Sequence, residues 1–115
     1  MKDVIHFYRV EDLDNVKKFY GELLGFKLYK DQKNCLIYDV KFGKLGFCTH
    51  HPKEKKQDAC ITFVYGSQKE VDRLYHKLAR KLIVTDEPTI NQDYDIYHFF
   101  VRDYEGLTVE FQAFL

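Results

Sequence analysis

Histidines, cysteines and carboxylates are the side chains of this chain that could bind a metal ion or move a proton. Cys48 and His50 are two residues apart, so on a strand they would share one face. They could form a soft metal pair, although two ligands make only half of a site. Further along the chain, His98 is a candidate proton carrier, and Glu110 is a candidate base. His6, near the start, is a third candidate metal ligand.

The composition argues against several classes of function. Eighteen basic and eighteen acidic residues give a net charge of zero, so no overall field attracts nucleic acid. No apolar run approaches the roughly 20 residues that span a bilayer, and the first residues do not resemble a signal peptide. The three cysteines are an odd number and contain no CxxC motif. We therefore expect a cytoplasmic protein with reduced thiols and neither a nucleic-acid nor a membrane partner.

The elements that would position these residues begin with a strand over 4–10. Asp12 favours a helix start, apolar residues then recur at helical spacing, and Gly25 favours the helix end. Strand-like runs follow over 26–31, 34–40 and 44–50. The same order returns later, with a strand over 59–65, a helix over 68–82 and strands over 83–88, 96–103 and 107–114.

The two halves align by a constant shift of sequence number. The apolar helix positions 16, 19, 20 and 23 recur 55 residues later, at 71, 74, 75 and 78. Such a repeat predicts two βαβββ modules in one α+β domain over 1–115: module one at 1–50, module two at 58–115 and a joining loop at 51–57. We expect curved mixed sheets that form a cleft, with the helices on the outer face.

Two motifs carry a resemblance to a known family. The first is "VEDLDNVKKFYGELLGF", an acid–Leu pair and a helix that ends Phe-Tyr-x-x-x-Leu-Gly-Phe. The second is "VRDYEGLTVEF", which contains Asp-x-x-Gly-x-x-x-Glu. With the paired modules, they resemble the vicinal oxygen chelate superfamily, which includes glyoxalase I, bleomycin-resistance proteins, extradiol dioxygenases and fosfomycin-thiol transferases. The resemblance implies a small-molecule cleft and, in the enzymes, a divalent metal bound by residues in the first and last strands of each module.

The resemblance implies four ligand positions in this sequence. The family histidine stands seven residues before the aspartate of the acid–Leu motif, and counting back from Asp12 reaches Ile5. His6 is one residue late, so it should point towards the helix unless a bulge shifts it. The 55-residue shift gives Cys60, and counting four residues from Gly43 and Gly106 gives Phe47 and Glu110. Only Glu110 is a usual hard ligand, so we expect that the standard metal site is lost.

The turn "RDYEGL", with Gly106 in a left-handed conformation, predicts that Phe100 pairs with Glu110 and that His98 pairs with Gln112. Alternation then places a set of aromatic and polar residues on the cleft face. The set is Ile5, Phe7, Arg9, Phe47, Thr49, Cys60, Thr62, His98, Phe100, Arg102, Glu110 and Gln112. Within it, Arg9 could bind a carboxylate or phosphate of a ligand, or pair with Glu110.

These expectations favour a metal-independent protein that binds a small aromatic or anionic organic molecule, with no cofactor. The alternative is a metal-dependent lyase, isomerase or dioxygenase with a non-standard site. In that site Glu110 would bind a divalent metal with His98, Cys60 or a bulge-shifted His6. A third alternative is an interaction module whose sheet edges form a homodimer.

Overall fold

A computed structural model of the chain describes residues 1–50, 59–81, 84 and 86–115. Contacts within the chain divide it into two compact units, Met1–Gln57 and Asp58–Leu115, which we call module one and module two. The joining loop expected at 51–57 lies outside the described residues. No helix among the described residues is long and apolar enough to cross a membrane.

Module one contains one helical segment and a four-stranded mixed sheet. Its elements are β1 (Ile5–Arg9), α1 (Leu13–Val16), which continues as a π-helix (Lys17–Leu23), β2 (Lys27–Asp31), β3 (Cys35–Asp39) and β4 (Lys44–Cys48). The strand order is β1-β4-β3-β2, with β1 parallel to β4 and the other pairs antiparallel. The parallel pair requires a crossover connection, and the helical segment begins that connection.

The ends of this helical segment follow the local sequence. The Asp12 side chain accepts a hydrogen bond from the backbone N–H of Asp14 at 2.8 Å, which satisfies one of the unpaired donors of the first turn. Gly25 follows the segment with a φ of 75°, a left-handed conformation that favours glycine. Both predicted helix signals are therefore confirmed.

The core of module one lies between the helical segment and one face of its sheet. Tyr20 stacks on Phe47 with ring centroids 4.4 Å apart, and Tyr8 stacks on the same Phe47 at 5.8 Å. Phe47 is fully buried, and Tyr20 nearly so. Burying such a side chain contributes about 2 kcal/mol to folding relative to leaving it exposed. The helix-covered face therefore carries Tyr8 and Phe47, and we call the opposite face the open face.

Module two repeats this architecture. Its elements are β5 (Cys60–Tyr65), α2 (Gln68–Ala79), β6 (Thr89–Asn91), β7 (Ile96–Arg102) and β8 (Thr108–Phe114), with the strand order β5-β8-β7-β6. The strand predicted at 83–88 falls partly on residues outside the description. Its described residues, 84 and 86–88, are not in a strand, which forms instead at Thr89–Asn91.

The helix of module two is capped at its start and packs on one sheet face. The Ser67 hydroxyl accepts from the Glu70 N–H, and the Glu70 carboxylate accepts from the Gly66 N–H, a reciprocal arrangement close to a capping box. On the sheet-facing side, the ring of Tyr75 meets that of Phe99 edge to face at 5.4 Å. Phe111 lies fully buried in the same layer.

The internal repeat is confirmed by the matching elements of the two modules. β1 and β5 begin at Ile5 and Cys60, and the helices begin at Leu13 and Gln68, each pair 55 residues apart. The strand orders and the parallel and antiparallel pairings also agree. The chain is therefore an α+β protein built from two βαβββ modules, as the sequence predicts.

Candidate functional site

The open face of the module-two sheet brings together the polar residues of three neighbouring strands. Across β7 and β8, His98 lies opposite Gln112, Phe100 opposite Glu110 and Arg102 opposite Thr108. Across β5 and β8, Thr62 lies opposite Glu110 and Cys60 opposite Thr108. Residues opposite one another in a sheet share a face, so these side chains lie on the side away from α2. The pairings of Phe100 and His98 predicted from the turn are confirmed.

His98, Glu110 and Thr62 form a hydrogen-bonded chain on this face. The Glu110 Oε2 atom lies 2.6 Å from His98 Nδ1, and Glu110 Oε1 accepts a hydrogen bond from the Thr62 hydroxyl at 2.8 Å. His98 and Glu110 are each only 9% exposed. A buried carboxylate is costly unless it is hydrogen-bonded, and here both of its oxygens are engaged. Glu110 thus finds its partners inside its own module.

Cys60 adjoins this chain, and the pKa of its thiol is raised. Its Sγ lies 3.8 Å from the Thr62 Oγ1. Desolvation is the largest cause and raises the pKa of the Cys60 thiol; the Thr62 hydrogen bond lowers this pKa, and the Glu110 charge raises it by a smaller amount. The net effect favours the thiol over the thiolate, which is the nucleophilic form.

The rest of the module-two face is aromatic and polar. Phe100 is 47% exposed, and its ring lies 5.1 Å from the His98 ring in an edge-to-face arrangement. Gln112 is buried beside His98, while Arg102 is exposed and donates from Nη1 to the Gly106 carbonyl at 3.0 Å. This face therefore offers an aromatic surface beside a hydrogen-bonding histidine.

The open face of module one carries both apolar and charged residues. Ile5 lies opposite Lys44, Phe7 opposite Gly46 and Arg9 opposite Cys48, so these residues share the face away from the helix. A pocket of about 480 Å³ is lined by Phe7, Tyr8, Arg9, Gln32, Cys35, Cys48 and His50. Its volume is within the range of small-molecule sites.

The expectation that Phe47 belongs to the open face is wrong. Phe47 is fully buried against Tyr20 on the helix side, and its counterpart in module two is the equally buried Phe111. The cause is a difference in turn length. The β3–β4 turn spans 40–43 and the β7–β8 turn spans 103–107, one residue more, so counting from the turn glycine gives the wrong register. The residue that corresponds to Glu110 is Gly46.

Gly46 has no side chain, and the Phe7 ring occupies the space beside it. A Cβ atom placed on Gly46 would lie 2.4 Å from Phe7 Cδ1. The expectation for Thr49 is also not met, because Thr49 lies beyond the end of β4. There its backbone N–H donates to the Asn34 carbonyl, and its hydroxyl lies 3.4 Å from the same oxygen.

His6 lies on the helix-side face of β1. It is opposite Leu45 and two residues from Tyr8, whose ring packs on Phe47. Ile5 and His6 are successive residues of a regular strand paired with successive residues of β4, so no bulge shifts the register between them. His6 therefore lies on the helix side, as predicted from its one-residue offset from the family's histidine position.

The structure also contains a disulfide bond that the sequence does not predict. Cys35 and Cys48 lie opposite one another on β3 and β4 and form a disulfide, although they are 13 residues apart in sequence. The expectation of three reduced thiols is wrong for this pair, while Cys60 is free. The sequence contains one signal for this disulfide, because the two cysteines lie in predicted strands joined by a short turn. Such a turn makes the strands antiparallel neighbours.

The four positions implied for the superfamily's metal are thus Ile5, Gly46, Cys60 and Glu110. Isoleucine and glycine have no ligand atom in their side chains, and the Cys60 thiol has a raised pKa. Both oxygens of Glu110 already have protein partners. These residues do not fit the His and carboxylate ligands of a catalytic metal site with open positions.

The chain has two mixed sheets in βαβββ order, and a helical segment covers one face of each. These features define an α+β protein of two similar modules with a pocket of the size that holds small molecules. The model of the Glyoxalase/Bleomycin resistance protein/Dioxygenase superfamily matches residues 4–111, and the chain belongs to this superfamily. No curated protein matches the chain.

Solved structures show the same fold. A glyoxalase/bleomycin resistance protein/dioxygenase family enzyme from Burkholderia phytofirmans PsJN aligns with a TM-score of 0.82 at 16% identity, covering 96% of this chain and 97% of that one. An integron cassette protein from the Halifax Harbour sewage outfall metagenome aligns with 0.81 at 22% identity, covering 98% and 99%. A glyoxalase/bleomycin resistance protein/dioxygenase from Nocardioides aligns with 0.80 at 16% identity, covering 100% and 84%.

Proposed function

We propose that this protein binds a small organic molecule on the open face of the module-two sheet, without a metal ion at the superfamily's usual positions. The observation that carries the proposal is the hydrogen-bonded chain of His98, Glu110 and Thr62, in which His98 and Glu110 are buried. Both oxygens of the Glu110 carboxylate are engaged by protein groups, one of them by the imidazole of His98. The role of this carboxylate is to hold the imidazole of His98.

The orientation of His98 determines what it can offer to a ligand. With its hydrogen on Nδ1, the ring donates to Glu110, and Nε2 is left as an acceptor for a hydroxyl or N–H group of the ligand. When the ring is protonated, both nitrogens donate, and Nε2 then binds an anionic oxygen. The same face can therefore anchor a polar group in either protonation state.

The residues around His98 indicate the class of ligand. The exposed ring of Phe100 provides an aromatic surface, and Arg102 and Gln112 add groups that bind carboxylate or carbonyl oxygens. On module one, Phe7 and Arg9 repeat this combination at the edge of the 480 Å³ pocket. We propose an aromatic compound carrying an acid or carbonyl group as the ligand.

A second candidate function is metal-independent acid–base catalysis. The 2.6 Å contact between Glu110 and His98 favours it, because a carboxylate that orients an imidazole and stabilises its protonated form supports a general base. The reaction would be an isomerisation or elimination in which His98 removes a proton. In that case Glu110→Gln lowers kcat of the turnover, whereas Thr62→Val leaves it within a fewfold of wild type.

Titration of the isotope-labelled protein with a set of aromatic carboxylates, starting with benzoate, tests the binding proposal by amide chemical shifts. We expect shifts in β5, β7 and β8 that are lost in His98→Gln. His76→Gln is the matched control, because His76 is an exposed histidine on α2. Shifts that are equal in wild type and His98→Gln, or no shifts with any member of the set, would contradict the proposal.

Metal content tests the second part of the proposal. We expect Glu110→Gln and wild type to purify with the same amount of zinc, iron, nickel and manganese. Metal present in wild type and lost in Glu110→Gln would overturn the metal-independent function.

We also propose that the protein is a homodimer. β1 is an edge strand of its sheet, and it exposes the apolar side chains of Ile5 and Phe7 beside that of Val4, which precedes the strand; a second chain could cover them. Sedimentation should then give twice the 13.8 kDa of one chain. Phe7→Glu should shift the mass towards 13.8 kDa, and an unchanged mass would contradict this interface.

A further inference from the structure

Cys35, Cys48 and His50 form a second group of potential ligands, separate from the residues proposed above to bind the organic molecule on module two. Their ligand atoms all lie within 4.8 Å of one another. None of the three occupies one of the four metal positions implied by the superfamily. Cys35 and Cys48 are on adjacent strands, and His50 follows β4 by two residues, so the strand pairing itself brings the group together.

One distance within the group already matches that between two ligands of a tetrahedral zinc ion. With Zn–S near 2.3 Å and Zn–N near 2.0–2.1 Å, two ligands of one zinc lie about 3.8 Å apart for two sulfurs and about 3.5 Å for sulfur and nitrogen. The Cys35 Sγ to His50 Nδ1 distance is 3.5 Å. When the disulfide is reduced, the two sulfurs can separate by side-chain rotation, while the pairing of β3 and β4 keeps the two residues opposite one another.

The pocket beside the three residues leaves room for a fourth ligand. Cys35 and Cys48 are buried, at 7% and 5% exposure, while His50 is exposed at the mouth of the pocket. Arg9 lines the same pocket and lies opposite Cys48 in the β1–β4 pairing. The thiolate is the form of cysteine that binds zinc and that attacks disulfides. Two thiolates and a neutral imidazole compensate the charge of Zn²⁺.

We propose that the reduced protein binds one Zn²⁺ through Cys35, Cys48 and His50, and that formation of the Cys35–Cys48 disulfide releases it. The oxidant is a low-molecular-weight disulfide. One cysteine thiolate attacks it, forms a mixed disulfide and displaces one small thiolate. The second cysteine thiolate attacks the mixed disulfide, forms the Cys35–Cys48 bond and displaces the other small thiolate. Two electrons pass from the cysteines to the oxidant, and Zn²⁺ leaves because a disulfide has no thiolate to bind it.

Cobalt titration of the full chain tests the binding step. The protein is reduced with a phosphine, desalted without oxygen and titrated with Co²⁺, which reports thiolate ligands by charge-transfer absorption. We expect one equivalent of Co²⁺, displaced by Zn²⁺, in wild type and in the control Cys60→Ser. Cys35→Ser and Cys48→Ser should lose most of the absorption. Saturation without charge-transfer absorption, or equal absorption in the serine variants and wild type, would overturn the proposal.

His50 is tested by a matched pair of variants. We expect His50→Ala to weaken Zn²⁺ binding at least about tenfold, measured by competition with a chromophoric chelator. His76→Ala should bind as wild type does. Equal Zn²⁺ affinities for wild type and His50→Ala would show that His50 is not a ligand. If a serine variant does not fold, the rate of thiol alkylation in reduced wild type replaces it as the test. Zn²⁺ should slow the labelling of Cys35 and Cys48 but not of Cys60.

Release is tested with oxidised glutathione added to the zinc-loaded protein. We expect one equivalent of free Zn²⁺ for each Cys35–Cys48 disulfide that forms, in wild type and in Cys60→Ser alike. Disulfide formation with the metal retained would overturn the release step. These outcomes are independent of the organic ligand, because the proposed organic site depends on His98 and Glu110. Loss of bound metal in Glu110→Gln would contradict the proposed function. Loss of bound metal in the Cys35 and Cys48 variants would support the zinc site.

Discussion

Replacing Glu110 by glutamine removes the charge at the centre of the proposed site while keeping the size of the side chain. In the native protein, one carboxylate oxygen accepts from Thr62 at 2.8 Å and the other lies 2.6 Å from His98 Nδ1. Hydrogen bonds to a charged group contribute about 1.5–3 kcal/mol each to stability. Glutamine keeps one carbonyl oxygen, so one of the two contacts survives and the other meets an NH₂ group.

We therefore expect Glu110→Gln to lower the free energy of unfolding by about 2 kcal/mol. Thr62→Val removes a bond on the exposed side of the chain, where water can replace the hydroxyl, and should cost less than about 1 kcal/mol. His98→Gln combined with Glu110→Gln should cost less than the sum of the two single changes, because both remove the same contact.

Urea unfolding followed by circular dichroism and tyrosine fluorescence measures these values, since the chain has no tryptophan. The comparison holds where both probes give one coincident transition. A Glu110→Gln protein within about 0.5 kcal/mol of wild type would show that the hydrogen-bonded chain does not stabilise the fold. Strict additivity of the His98 and Glu110 changes would show that the two side chains do not interact in solution.

Three further predictions concern other parts of the chain. The Tyr97 hydroxyl donates to Asp72 at 2.6 Å, and this hydrogen bond, with desolvation and the Asp72 charge, raises the pKa of Tyr97 to about 12. Because the folded-state pKa is raised, the stability it contributes is present below the ordinary tyrosine value of 10.0 and is lost as pH rises towards 12. Asp72→Asn should return the phenol titration, followed by ultraviolet absorbance, towards 10.0, and an unchanged titration would refute the cause. Phe111→Ala should cost about 3–5 kcal/mol in urea unfolding, whereas Phe42→Ala, at a 91% exposed position, should cost less than about 0.5 kcal/mol, and equal costs would contradict the described core. Reducing the disulfide of module one in the presence of a chelator should lower stability by about 3 kcal/mol, and an unchanged urea midpoint would argue against the bond in solution.

The fold was accessible from the sequence because its signals are local and occur twice. The Asp12 cap, the left-handed Gly25 and the apolar spacing of the helices depend on neighbouring residues, and each appears in the structure as predicted. The repeat of 55 residues added the strand order, since two copies of one pattern imply two copies of one module. The described residues of the strand predicted at 83–88, which are 84 and 86–88, are not in a strand, and pairing with β7 begins at Thr89 instead.

The strand register on which the candidate site depends was predicted correctly in module two and wrongly in module one. In module two, the bulged turn was recognised, so the partners of Glu110 and Gln112 followed from counting along two strands. In module one, the turn is one residue shorter, so counting four residues from the turn glycine reaches Phe47, which lies on the opposite face. A side chain changes face with each residue of a strand, so an error of one residue in a turn reverses the whole assignment.

The sequence by itself determined the class of fold, the repeat and the absence of a ligand atom at Ile5. Only the tertiary structure decided which distant residues touch. It engaged both oxygens of Glu110 with His98 and Thr62, and it joined Cys35 to Cys48 across two strands. The physical reason is that helix caps and apolar periodicity act between near neighbours, whereas a hydrogen bond or disulfide between strands depends on a register that turn length and packing set together.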